Sequence, residues 1–261
     1  MSVSMVKIVG MVVGMFAFVS LANWLTGPPV YMSPAVDLFV GEPIMLLAAI
    51  AGILIDRKYN DRLRISWKKV WTGVPLAILV MACSAGIVTL IHRPTILMFY
   101  DFIMQYPHPV STVLGQTALA ILVIGLAEES FFRGYLFEYL TSGPFQFRVV
   151  SASIIVGFLF GLFHTSHDLE MVILHHASFR QEWLLWLYQY AYGVASCLLY
   201  AWTSNIVFVI VLHGIIDSPL GLMAGTHGSY LPVIILTALV IVPALRVVSF
   251  RASRSGKWFP W

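Results

Sequence analysis

The sequence predicts an all-α polytopic membrane helix bundle of about eight transmembrane helices. Three observations carry that prediction: an extreme apolar composition, uncharged runs of spanning length, and a one-sided distribution of basic residues. Of 261 residues, 59% are hydrophobic and 10% charged, against about 25% charged in an ordinary soluble domain. A water-soluble fold is excluded. Disorder is excluded as well, because aromatic residues reach 14% and disordered chains are rich in charge and poor in aromatics. The net charge of +3 gives no footprint for nucleic acid, so the partners expected are the lipid bilayer and molecules within it. Cys83 and Cys197 stand alone in apolar stretches and read as packing residues.

Uncharged apolar runs occupy Ile8–Leu25, Val70–Ile91, Val110–Ala127, Trp183–Thr203 and Tyr230–Leu245, each close to the roughly 20 residues that cross a bilayer core. Leu38–Ile55 is broken only by Glu42, which beside Pro43 reads as interfacial. Val149–Phe163 and Ile206–Leu212 run directly into His164 and His213. These two become helices once the histidines are accepted inside the membrane. The connections then fall at about 26–35, 56–69, 92–109, 141–148, 165–182, 203–205 and 218–229, within a single domain over 1–261 whose motif-bearing core is about 110–224.

Sorting the 15 Lys and Arg residues onto alternate sides tests the count. Lys7, the basic second connection from Arg57 to Lys69, Arg133 and Arg148 after the fourth helix, and the C-terminal group from Arg246 to Lys257 share one side, leaving only Arg93 and Arg180 on the other. The positive-inside rule places both termini in the cytoplasm, with the cell membrane as the expected location. The N-terminal segment, with Lys7 ahead of an apolar stretch and Ser20-Leu21-Ala22, also resembles a cleavable signal peptide; an uncleaved first helix is the preferred reading.

Ionisable residues at membrane depth are costly and mark function by default. Glu128-Glu129-Ser130-Phe131-Phe132-Arg133 reads EExxxR at the end of the uncharged run Val110–Ala127. On an α-helix Glu129 and Arg133 are at i and i+4, the favourable order for an ion pair, which leaves Glu128 for chemistry. Phe160 and His164 share a face at the same spacing, as do His213 and Asp217. Each has a bland explanation: a charge cluster at a helix end, a hydrogen-bonded core histidine, a self-satisfied pair. Three such sets on three apolar helices are better explained together, as carboxylate and imidazole groups that activate water and stabilise an oxyanion.

At these residues the sequence resembles the CPBP family, the CAAX proteases and bacteriocin-processing enzymes, through the ordered set EExxxR, FxxxH and Hxxx(N/D). The resemblance implies an intramembrane glutamic endopeptidase. Glu128 and His164 would activate the attacking water, His213 and Asp217 would line the oxyanion site, and Glu129, Arg133 and Phe160 would support them. Asp217 replaces the Asn of some members, and an ionised Asp cannot donate to an oxyanion. The expected substrate is a membrane-anchored or membrane-inserting protein or peptide. No cofactor is expected, the alternative being a divalent metal at Glu128, His164 and His213, or in the histidine-rich stretch His167 to His176. HExxH, GxGD and GxSxG, marks of other protease classes, are absent from the sequence. The rival class is a non-proteolytic immunity, scaffold or transport protein that uses the same polar cluster for binding.

Overall fold

The computed structural model describes residues 42–55, 66–91, 108–143, 145–174, 178–224 and 231–254, with isolated positions between them. All regular structure among the described residues is helical. α1 is Glu42–Ile55, α2 Trp67–Ile91, α3 Pro109–Ser142, α4 Val149–Leu174, α5 Phe179–Thr203, α6 Ile206–Ile216 and α7 Leu231–Arg254. A 3₁₀ turn, Pro219–Ala224, follows α6. The first apolar run and its signal-peptide-like features lie outside the described residues, as do most of the basic second connection and the side chains from His167 to His176.

Among the described residues two helices, Trp67–Ile91 and Pro109–Ser142, are long and apolar enough to cross a membrane. The other apolar helices are shorter, including Pro43–Leu54, Val149–His164, Ile206–Ile216 and Leu231–Val247. The all-helical, apolar character is as the composition requires.

One expected boundary holds and another moves. α3 continues through the glutamates to Ser142, where the expected connection at 141–148 begins, and Arg133, grouped by sequence with the cytoplasmic basic residues, is a fully buried helical residue. α4 continues past His164 to Leu174, inside what reads as a connection. Polar residues after His164 suggested an end, yet the stretch to Leu174 contains neither the Gly nor the Pro that stops a helix; α3, by contrast, continues through Gly134.

α3 is not a uniform α-helix. Ala120–Gly125 and Ser130–Phe137 are wound as π-helix, on either side of the α-helical turn Leu126–Glu129. The i, i+4 register assumed for Glu129 and Arg133 therefore does not continue across Ser130. Single π turns inside α-helices are uncommon and recur at functional sites.

The described residues divide into two compact units, each built from discontinuous pieces of chain: 1–62 with 130–197, and 63–129 with 198–261. In the first, α4 and α5 meet at glycines. A Cβ on Gly193 would come within 2.8 Å of the Gly157 Cα, and one on Gly157 would strike Val194. In the second, α6 packs on α2 and on the first half of α3. Asn205 sets the start of α6. Its Oδ1 accepts from Val207 N and Phe208 N at 3.1 and 3.3 Å, while Nδ2 donates to the Lys69 carbonyl of α2 at 2.9 Å. Ser204 supplies the left-handed turn before it, with φ 51°. One amide thus caps α6 and ties it to α2.

Candidate active site

The close approach of α6 to α3 rests on Gly125 and Gly214. A Cβ at Gly125 would lie 2.5 Å from the Ile210 carbonyl oxygen, and one at Gly214 would overlap the Ile121 backbone. Small residues allow such backbone contact between membrane helices, and here they sit beside the motif residues: Gly125 is one turn before Glu128 and Gly214 follows His213. Gly214→Val is expected to cost about 1–3 kcal/mol from overpacking against backbone, a shift to be read by thermal unfolding in detergent. A melting temperature equal to that of the wild type would show that the helices need not approach so closely.

The result of that packing is an imidazole held among three carboxylates. His213 Nδ1 lies 2.7 Å from Glu129 Oε1, and Nε2 lies 2.9 Å from Asp217 Oδ2 and 3.7 Å from Glu128 Oε2. His213, Glu128 and Glu129 are 3%, 4% and 0% exposed. Each short nitrogen–oxygen contact must contain a proton, so His213 is fixed on both ring nitrogens and cannot rotate without losing a bond. Asp217 is the C-cap of α6, where the helix stops before Pro219. Its side chain is 38% exposed.

The pairing of Glu129 with His213 is the feature that the sequence reading missed. α-Helical periodicity directed Glu129 to Arg133, and no spacing rule links residues 84 positions apart. A signal for Asn205 was present, since Asn ahead of an apolar run is a standard N-cap. The two glycines were equally visible but have no meaning until the facing helix is known.

The remaining motif residues lie in the first unit. Arg133 Nη2 donates to the Gly193 carbonyl at 3.3 Å, and the guanidinium lies 4.7 Å from the Phe160 ring centroid, 5.7 Å from that of Tyr192 and 5.9 Å from that of Phe132. An aromatic enclosure of this kind stabilises a buried cation through the ring faces. Phe160 also holds His164: its carbonyl lies 2.8 Å from His164 Nδ1, and the two ring centroids are 4.6 Å apart. A carbonyl only accepts, so Nδ1 carries a proton, and in a neutral ring Nε2 is then the acceptor nitrogen. The carbonyl would be offered by any residue one turn back; it is the ring contact that uses the Phe of FxxxH.

Residues 109–218 match the family model described as Rce1-like, type II CAAX prenyl endopeptidase. This stretch is similar to an Rce1-like domain. It begins at the N-terminus of α3, ends just after Asp217, and contains every residue of EExxxR, FxxxH and HxxxD. No curated protein and no solved structure matches the chain. The apolar helices are those of an integral membrane protein, and the matched stretch is similar to a protease domain. Among the described residues no group of three or more His, Cys, Asp or Glu is arranged to hold a metal ion.

Proposed function

We propose that this chain is an intramembrane endopeptidase that hydrolyses a peptide bond of a membrane-associated protein or peptide with water activated by Glu128. The observation that supports it is the division of work between adjacent carboxylates. Glu129 is hydrogen-bonded to His213 Nδ1, whereas Glu128 stands 3.7 Å from Nε2, beyond hydrogen-bond range. One acid orients the imidazole; the other is placed to take and return protons.

In this reading Glu128 accepts a proton from water as the oxygen attacks the scissile carbonyl carbon. The carbonyl oxygen becomes an oxyanion stabilised by the His213 N–H, and the C–N bond then breaks as Glu128 passes the proton to the leaving amine. The motif assigns His164 to the same water, and the acceptor character of Nε2 suits that task. The residues alone provide the acid, base and oxyanion donor, and the reaction is proposed to need no cofactor; activity surviving a strong chelator is the corresponding check. The runs of apolar sequence support eight spans, and the basic-residue asymmetry supports cytoplasmic termini in the cell membrane. The decisive experiment is quantitative proteomics of membrane and secreted peptides from host cells carrying wild-type or Glu128→Gln protein. Identical peptide profiles would end the protease reading.

Asp217 provides a finer test. It contacts the nitrogen of His213 that must also face the oxyanion, and from an exposed helix end it can yield to substrate. Asp217→Asn is expected to keep activity within about tenfold of wild type, because an amide still accepts from His213 and can donate to the oxyanion. Asp217→Ala should lower single-turnover cleavage by about 10²-fold with little change in substrate affinity. Asn as damaging as Ala would show that the negative charge itself is required.

A further inference from the structure

The second unit contains a cavity of about 290 Å³ that shares no lining residue with the His213 cluster. It is enclosed by Thr72 and Leu76 of α2, the turn from α5 into Asn205, and Val242, Leu245 and Arg246 of α7. Its two ends differ chemically. Leu76 and Val242 are buried and make an apolar floor, whereas the rim carries the Arg246 guanidinium and, among the described residues, no carboxylate. Arg246 Nη1 donates to the Trp202 carbonyl at 2.9 Å, in the last turn of α5. That bond fixes the guanidinium at the rim with one of its five N–H donors.

The surroundings are those of a membrane–water interface. Trp67 and Trp71, one turn apart on α2, are 78% and 74% exposed, Lys68 between them is exposed, and the Lys69 carbonyl accepts from Asn205 in the cavity wall. Tryptophan and basic side chains gather at headgroup level, where cationic groups attract anionic lipid. A volume near the lower end of the roughly 300–1,000 Å³ typical of small-molecule sites admits a headgroup and glycerol but not acyl chains.

We propose that this cavity is a headgroup site for an anionic phospholipid, with Arg246 on the phosphate and the glycerol against Leu76, Val242 and Leu245. The shared chemistry is a phosphate ester, and the lipid is favoured over free phosphate because the apolar floor has no use for a bare anion. Zwitterionic lipid is disfavoured because the described lining residues offer its ammonium no carboxylate.

The test uses the purified full-length chain in non-ionic detergent, titrated with phosphatidylglycerol, phosphatidylcholine or inorganic phosphate and followed by native mass spectrometry. Phosphatidylglycerol is expected to be retained by the wild type, with the other two bound at least about tenfold more weakly. Arg246→Gln should weaken its binding about tenfold, the size of a lost charge-assisted contact. Leu245→Trp, which fills the cavity while keeping the guanidinium, should weaken it at least as much. Lys68→Gln should change it by less than about twofold, as an exposed charge outside the lining. Wild-type affinity in either Arg246→Gln or Leu245→Trp overturns the site, as does a Lys68→Gln loss equal to that of Arg246→Gln. Inorganic phosphate binding as well as phosphatidylglycerol overturns the lipid assignment. Should Arg246→Gln fail to fold, Leu245→Trp decides the matter.

Discussion

Glu128→Gln is expected to remove peptide hydrolysis, lowering turnover by about 10²–10⁴-fold, while the purified protein unfolds at the wild-type temperature. The two outcomes have separate physical origins. Gln has nearly the shape of Glu, and Glu128 lies 3.7 Å from His213, so the substitution breaks no hydrogen bond to the imidazole. It removes the only property the proposed chemistry needs from this side chain, the ability to take a proton from water and give it to the leaving amine. His164→Ala should be nearly as damaging in rate, at a modest cost in stability from the lost Phe160 carbonyl bond and ring contact. Combining the two should add little, because members of one water-activating unit fail together. Single-turnover cleavage of a membrane peptide with the two single variants and the double variant measures this. Multiplicative losses would mean that Glu128 and His164 act in different steps, and wild-type turnover in Glu128→Gln would remove Glu128 from catalysis.

The legibility of this molecule divides along one line: local spacing could be read, and long-range partnership could not. Composition alone fixed the helical, membrane-embedded character, because no soluble fold tolerates so few charges. FxxxH was readable and its structural cause is local, the Phe160 ring meeting His164 one turn on. The proximity of His213 and Asp217 is likewise a matter of one helical turn. EExxxR was visible as a motif, but the π winding from Ser130 depends on packing and leaves no simple mark in sequence. The partner of Glu129 was out of reach for a different reason. It depends on α6 approaching α3 through Gly125 and Gly214, and that contact exists only in three dimensions.

The same contact makes Glu129 the residue whose loss should be felt in both stability and rate. Glu129→Ala deletes a fully buried carboxylate that accepts from His213 Nδ1 at 2.7 Å, leaving an imidazole N–H without that acceptor in a buried setting. Loss of one side of a buried charged hydrogen bond costs about 1.5–3 kcal/mol, and the space left behind adds to it. Activity should fall about 10²-fold as well, because an imidazole anchored only through Nε2 must choose between Asp217 and the oxyanion. Glu129→Gln separates these effects. The amide oxygen can still accept from Nδ1–H and nearly fills the space, so most of the stability should return, while the charge opposite the imidazole does not. The expected order of unfolding temperature is therefore wild type, then Gln close behind, then Ala well below. If His213 works as a cation during the reaction, Gln should remain impaired in the chemical step despite its recovered fold. Thermal unfolding and single-turnover rates measured on both variants across pH distinguish the cases. Equal stability of Ala and wild type would show that His213 does not depend on Glu129 for its position, and full activity in Gln would show that the acid supplies geometry rather than charge.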